Sequence, residues 1–411
     1  MTPRFTSREF SFLKPDSDTS SPIQAPDTYF SDLVHQKSAA FTAFEQRLLS
    51  VDIPKKKFIC AVIQVADTAT EDILEKARDI FESWLRSMSD NQRGIWETLD
   101  NRAFVLVFWD YDNQKTAMDL LESLKAKITR ALKTELLVGV ARFPFQKYSR
   151  SEVFANALKA IDHAAFFGFG HMRHFDGISL NISGDRLYQL GHYDAAIKEY
   201  EKGLALSPKD INLMNSLGVC YGVTGNLEKA KTYFEAALDI NPKEVMVIYN
   251  LGLTSQVVED TDKAVLLLRK AHGIDGRIFE VELLLGHLLF QAKKLEAALP
   301  HLETAAQVNP KSSMAHRIMG EIFLEQEKPD QAGAAFNTAV KLNPLDPVAL
   351  SGYALVMTQK NRNLKIALTF AEKSVALAPD NEMFQERLIR VQQALQENDA
   401  ADDPSRKSAS A

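Results

Sequence analysis

Ile211–Glu244 reads INLMNSLGVCYGVTGNLEKAKTYFEAALDINPKE, and this stretch decides the architecture of more than half of a 411-residue chain. Met214, Leu217, Gly218 and Tyr221 recur at steps of three and four, which puts them on one face of a helix. Ala230, Phe234 and Ala237 make a second face of small, large and small side chains. Gly225 and Asn226 supply the turn between the two, and Pro242 stops the second helix. Gly218 is small enough for its paired helix to approach closely.

The same pattern returns in five further units at a period of about 34 residues. Gly177–Asp210 carries Gly184, Ala196, Tyr200 and Pro208. Val245–Ile278 carries Leu251, Gly252, Ala264, Leu268 and Ala271, with Gly276 in place of the proline. Phe279–Ser312 carries Leu285, Gly286, Ala298, Leu302, Ala305 and Pro310. Ser313–Asp346 carries Met319, Gly320, Phe323, Ala332, Phe336, Ala339 and Pro344. The sixth unit, from Pro347, carries Tyr353, Ala354, Ala367, Ala371, Ser374 and Pro379. Its second half slips by one residue, which predicts a longer turn around Asn361–Asn363. Units of this kind cannot bury their apolar faces alone, so residues 177–380 predict an all-α superhelical solenoid that needs a terminal lid. Residues 381–397 offer one, with Asn381 as N-cap and a stripe of Phe384, Leu388, Val391 and Leu395. The tail, 398–411, has a disordered composition.

Period and pattern together resemble the tetratricopeptide repeat (TPR) family. The resemblance implies a concave groove, lined by the first helix of each repeat, that holds a protein or peptide partner. Carried onto this chain, the groove positions are Asn212, Asn215, Met246, Tyr249, Leu253, Gln256, Leu283, His287, Phe290, Met314, Arg317, Glu321, Leu324 and Leu355. Asn250 matches a position where the family often has an asparagine that bonds peptide backbone. The alternative for Met246, Leu253, Phe290 and Leu324 is packing between neighbouring repeats. The groove as a whole favours an amphipathic helix or an extended segment held by a few anchors. Asn181 and Asp185 stand where the chaperone-tail receptors of the family need Lys and Asn, which argues against that subtype.

Residues 55–176 follow a different rhythm. Phe58–Val65 reads as a buried strand. Thr68 and Glu71 read as a capping box before a helix bearing Ile73, Ala77, Ile80, Trp84 and Met88. Strands Ile95–Leu99 and Ala103–Phe108 flank a tight turn at Asp100 and Asn101. A helix through Ala117 and Ile128, a strand Leu136–Ala141 and a helix opened by Ser149 and Glu152 complete a ferredoxin-like α+β order, with the helices expected on one face of the sheet. Asp27–Val51 reads as a leading helix within 27–54, packed on the domain or shared with a second copy in a homodimer. Residues 1–26 read as a disordered segment.

Leu136–Ala141 and Ala160–Phe166 resemble the closing segments of the GGDEF (diguanylate cyclase) domain, and the hairpin ending Phe104–Phe108 fits its signature turn. The resemblance implies a cyclase-like fold stripped of its chemistry. Where the family has two glycines and a metal carboxylate, this chain has Asp100, Asn101, Arg102 and Ala103. The metal-binding aspartate of the first strand falls at Gln64, with Ala66 two further on, and Asp67 would point to the opposite face. Phe169 takes the place of a phosphate-binding lysine, and Asn91 and Gly94 that of the inhibitory cyclic di-GMP site. Two-metal phosphoryl transfer needs closely set carboxylates, so no catalytic residue is assigned. A non-catalytic guanine-nucleotide or cyclic di-GMP sensor using Arg102 and Arg173 is the alternative function.

His163, His171 and His174 lack the spacing of a metal site and read as surface or turn residues. Neither metal nor cofactor is expected. Cys60 and Cys220 lie far apart in apolar stretches and read as buried thiols of a reducing compartment. A composition of 45% hydrophobic and 25% charged residues with a net charge of −6 predicts neither a nucleic-acid partner nor membrane insertion. With no signal-peptide pattern, the expected location is the cytoplasm. The expectation is a non-enzymatic scaffold in bacterial signalling or complex assembly.

Overall fold

The computed structural model describes residues 29–36, 38–53, 57–66, 69–87, 93–100, 102–109 and 114–401. The chain forms two compact units, Met1–Asn241 and Pro242–Ala411. The first two repeats therefore group with the α/β part, and the boundary expected at 176/177 falls inside the first unit.

The first unit opens with α1 (Asp32–His35) and α2 (Ala39–Ser50) rather than one leading helix. Ser38 breaks it: its backbone is extended and its Oγ accepts from Phe41 N at 3.1 Å, an N-cap that starts a new helix. Next come β1 (Phe58–Val65), α3 (Glu71–Ser87), β2 (Gly94–Thr98), β3 (Ala103–Trp109), α4 (Gln114–Leu132), β4 (Leu136–Phe143), α5 (Glu152–Ala165) and β5 (Met172–His174). Thr68 lies outside the described residues; the carbonyl of Thr70 takes the first bonds of α3, from Ile73 N and Leu74 N. The sheet runs β2-β3-β1-β4-β5, antiparallel throughout except for β5, which lies parallel to β4. β5 escapes a reading of the sequence because three residues show no periodicity. Only its pairing with Val138–Val140 makes it a strand.

Helices cover both faces of the sheet, against the expectation of one. Leu74, Phe81, Leu121, Leu124 and Ile128 of α3 and α4 pack on Ile59, Ala61, Ile63, Phe104, Leu106 and Phe108. On the other face α2 and α5 cover Phe58, Cys60, Val62, Val105 and Val107. Phe154 of α5 stacks on Phe41 at 5.1 Å and meets Phe44 edge-on at 4.9 Å, so the leading segment packs on its own domain. The unbroken apolar runs of β1 and β3 are what burial on both faces demands. Gly139 lets α5 lie directly on β4: a Cβ there would stand 2.1 Å from Ile161 N and 2.4 Å from Ala157 O.

The repeats follow as helical hairpins. In the first unit these are α6 (Gly177–Gln189) with α7 (Tyr193–Leu206), and α8 (Ile211–Val223) with α9 (Leu227–Ile240). In the second they are α10 (Val245–Val257) with α11 (Thr261–Ile274), α12 (Phe279–Gln291) with α13 (Leu295–Val308), α14 (Ser313–Glu325) with α15 (Pro329–Leu342), and α16 (Pro347–Gln359) with α17 (Leu364–Leu377). The last hairpin has the longer turn that its one-residue slip predicts. α18 (Glu382–Ala401) closes the array and continues past residue 397, so residues 398–401 are helical rather than part of a disordered tail. Residues 1–28 and 402–411, which include the N-terminal segment, lie outside the described residues.

Two constraints shape every hairpin. The first is a large second-helix side chain against a small first-helix residue. A Cβ on Gly218 would meet the Phe234 ring at 2.4 Å and one on Gly320 the Phe336 ring at 2.7 Å, whereas one on Gly252 would touch Leu268 at an ordinary 3.4 Å. The second is a left-handed residue at the same turn position of each repeat: Gly191, Gly225, Glu259, Lys293, Glu327 and Asn361 all have positive φ.

Gly218→Ala is therefore expected to destabilise the first unit by about 2 kcal/mol, and Gly139→Ala by about 3 kcal/mol or more. Gly252→Ala should be neutral or slightly stabilising, because alanine gains about 1 kcal/mol of helix propensity over glycine. Urea unfolding of the three variants checks the order. In the same assay Glu259→Gly, Lys293→Gly and Glu327→Gly should each stabilise the second unit by about 0.5–1 kcal/mol, through relief of left-handed strain.

Candidate functional site

In the second unit α14 touches both α12 and α16, so these first helices share one surface. On α14, Met314, Arg317, Glu321 and Leu324 fall on one face at steps of three and four, as do Leu283, His287 and Phe290 on α12. These seven are half-buried, together with Met246, Gln256 and Leu355. Half-burial of apolar side chains on a shared face is what a docking surface looks like before its partner arrives.

Burial separates the other positions named from sequence. Asn215, Tyr249, Asn250 and Leu253 are buried. Asn250 is fully enclosed, and its carbonyl accepts from Thr254 Oγ1 at 2.8 Å. The role inferred for it on peptide backbone does not fit this position. Leu253 packs inside, the alternative kept open for it above. Asn212 is exposed. Asn212 and Asn215 belong to the first unit and the other thirteen positions to the second.

Charge on the surface is partly neutralised from within. Arg387 of α18 forks onto both oxygens of Glu321 at 3.1 Å, so that carboxylate is committed to holding the last helix. Arg317 Nε lies 3.4 Å from Asp346 Oδ2 without hydrogen-bond alignment, and among the described residues it donates to no acceptor. Burial, and then the nearby Arg317 charge, hold His287 below the usual imidazole range, so it is neutral at pH 7. The Arg317 Nε–H is itself buried, and the guanidinium is ion-paired with Asp346 beneath the apolar side chains.

The α/β part shows a different use of polar groups. Along α5, Asn156, Lys159, Asp162 and His163 are all buried on the side away from Gly139's strand. Lys159 pairs with Glu199 of α7, with only 6% and 11% of the two side chains exposed. Asp162 accepts from Phe30 N at 2.6 Å and Ser31 N at 2.9 Å ahead of α1. His163 Nδ1 lies 3.4 Å from Ser179 Oγ and from Asp176 Oδ1 at the start of α6, so it is no surface residue. Arg186 of α6 grips Asp32 of α1 at 3.0 and 2.7 Å. This seam joins α1, α5, α6 and α7 inside one unit. His171 and His174 are exposed as expected. Both cysteines are buried, and burial raises their thiol pKa values, Cys220 to about 12.

Gln64 and Ala103 stand opposite each other in the β1–β3 ladder. The two positions are thus adjacent, and neither bears a carboxylate. Asp100 Oδ1 is spent on its own turn, accepting from Arg102 N and Ala103 N at 2.7 Å. Arg173 on β5 lies three strand spacings from the strand that Arg102 precedes, about 14 Å, and its guanidinium rests 4.1 Å from the Phe167 ring centre. The structure does not bring the two cations to one point. Asp67 and Asn91 lie outside the described residues.

Models of the tetratricopeptide repeat match residues 184–222, 211–244 and 283–348. Among solved structures, the chain is similar to YrrB, described as a TPR protein with an unusual peptide-binding site. The identity is 19%, over 46% of this chain and 96% of that one, with a TM-score of 0.40. PilF of Pseudomonas aeruginosa matches at 26% identity over 46% of this chain and 86% of its own, TM-score 0.41. MamA matches at 20% identity over 39% and 94%, TM-score 0.36. No curated protein matches the sequence. The chain carries tetratricopeptide repeats, a fold that typically mediates interaction between proteins, beside a small α/β region. Among the described residues no helix is long and apolar enough to cross a membrane.

Removing one end of the Lys159–Glu199 pair strands the other in a dry interface. Lys159→Met should cost about 3 kcal/mol of first-unit stability. Lys159→Met with Glu199→Leu should recover most of that loss, and a double-mutant cycle by chemical denaturation measures it.

Proposed function

We propose that this chain is a non-enzymatic scaffold that docks a segment of a partner polypeptide across α12, α14 and α16. The observation that carries the reading is one surface on which Leu283, Phe290, Met314, Leu324 and Leu355 stay half-exposed together. Apolar anchors would supply affinity by leaving water. The segment would be extended or an amphipathic helix, with apolar residues at regular spacing.

In this reading the α/β region is a ferredoxin-like domain of cyclase type without its chemistry. Its strand order, β2-β3-β1-β4, supports that assignment. Its task would be mechanical: to fasten the first repeats through the seam of Lys159, Asp162 and Arg186. A soluble assembly or signalling complex is the setting that fits.

A peptide selected from a random displayed library against the intact chain provides the probe. Phe290→Asp with Leu324→Asp should weaken its binding by about tenfold or more in isothermal titration. Leu266→Asp, at a side chain 69% exposed on α11, should leave it unchanged. Equal affinity for all three proteins would overturn the assignment of this surface.

A further inference from the structure

Three positions recur from repeat to repeat: one late in a second helix, the fourth residue of the following first helix, and one midway along that repeat's second helix. By repeat position these are Leu204, Met214 and Tyr233 at the first junction, and Leu238, Ile248 and Leu267 at the second. At the last junction, allowing for the one-residue slip, they are Val340, Leu350 and Phe370. All of those are apolar, while the junction of the fourth and fifth repeats has Ala306, His316 and Ala335. At the junction of the third and fourth repeats they are His272, Glu282 and His301, so all three have changed together to metal-ligating types.

The three side chains converge. His272 Nδ1 lies 2.6 Å from Glu282 Oε1, and His301 Nδ1 lies 2.7 Å from Glu282 Oε2. The candidate ligand atoms all lie within 4.8 Å of one another, and no other such cluster occurs among the described residues. The imidazole rings meet edge to face with centroids 4.8 Å apart. Glu282 is 1% exposed, an acidic group in a helix interface, and the two imidazoles bond its two oxygens. Burial opposes its ionisation, but the bonds from His301 and His272 hold its pKa below the usual range. The carboxylate is therefore charged at neutral pH.

We propose that His272, Glu282 and His301 bind one divalent transition-metal ion of the zinc type, stapling the third repeat to the fourth. Two imidazoles and one carboxylate suit zinc or cobalt rather than magnesium or calcium. Ligand bonds of about 2.0–2.2 Å set tetrahedral ligand atoms about 3.4 Å apart, so the two short imidazole–carboxylate contacts would lengthen while the widest separation, within 4.8 Å, would close. His272, 44% exposed, is free to make that shift and leaves a side open for water as the fourth ligand. Each imidazole would bind through Nδ1, its proton held on Nε2. The ion would fix α11, α12 and α13 together and so set the spacing of the first helices that follow. The spacing of the ligands in sequence, ten and nineteen residues apart, hides the site from motif reading.

The test uses the full chain, free of any histidine tag and stripped with a chelator, titrated with zinc chloride. One zinc should bind per chain, the unfolding temperature should rise by several degrees, and a chelator should reverse the rise. Cobalt(II) should give the intense visible absorption of a four-coordinate site. Glu282→Gln should abolish binding, and His272→Asn, at a half-exposed position that does not threaten folding, should weaken it by about tenfold or more. Absence of zinc binding in the parent chain, a weak octahedral cobalt spectrum, or unchanged affinity in His272→Asn would each overturn the site. None of these readouts depends on a peptide, so failure here leaves the docking surface untouched.

Discussion

A large side chain laid against a small one, Phe234 into Gly218 or Phe336 into Gly320, closes each hairpin but leaves its flanks apolar. Everything else in the molecule answers the question of what covers those flanks. Within the second unit each hairpin covers the next. α18 then covers the last, burying Phe384 and Val391 and anchoring through Arg387 on Glu321. Within the first unit the cover is α5. One side of it lies on β4 at Gly139, and the other meets α6.

That double duty explains the composition of α5. A helix buried nearly all round is usually apolar throughout. Here the side toward the sheet is apolar, while the side toward the repeats carries Asn156, Lys159, Asp162 and His163, each buried. Buried polar pairs contribute little net stability but penalise any docking geometry that leaves them unpaired. The seam with Glu199, Ser179 and the backbone ahead of α1 therefore specifies how the domain seats on the repeats.

Much of this was legible beforehand because it is periodic. Small–large spacing at three and four residues located all six hairpins, and the slip near Asn361 predicted the longer turn. The proposed docking surface was only half legible. Repeat position alone put Leu253 and Asn250 beside Phe290 and Leu324, yet the first two are enclosed and the others stand half-open. Repeat position says which way a side chain starts out; how far neighbouring helices close over it depends on their own side chains. The helices on both faces of the sheet could have been anticipated, since β1 and β3 have no polar alternation to spare for solvent.

The order of residues by itself determined the hairpins and their turns, because these follow from local spacing and from which atoms a side chain carries. Tertiary structure alone decided the partners. Lys159 found Glu199 forty residues on, Asp162 found Phe30, and two histidines found Glu282 across three helices. Such meetings depend on how rigid elements rotate against one another as apolar faces leave water, and no local pattern in the chain encodes that rotation.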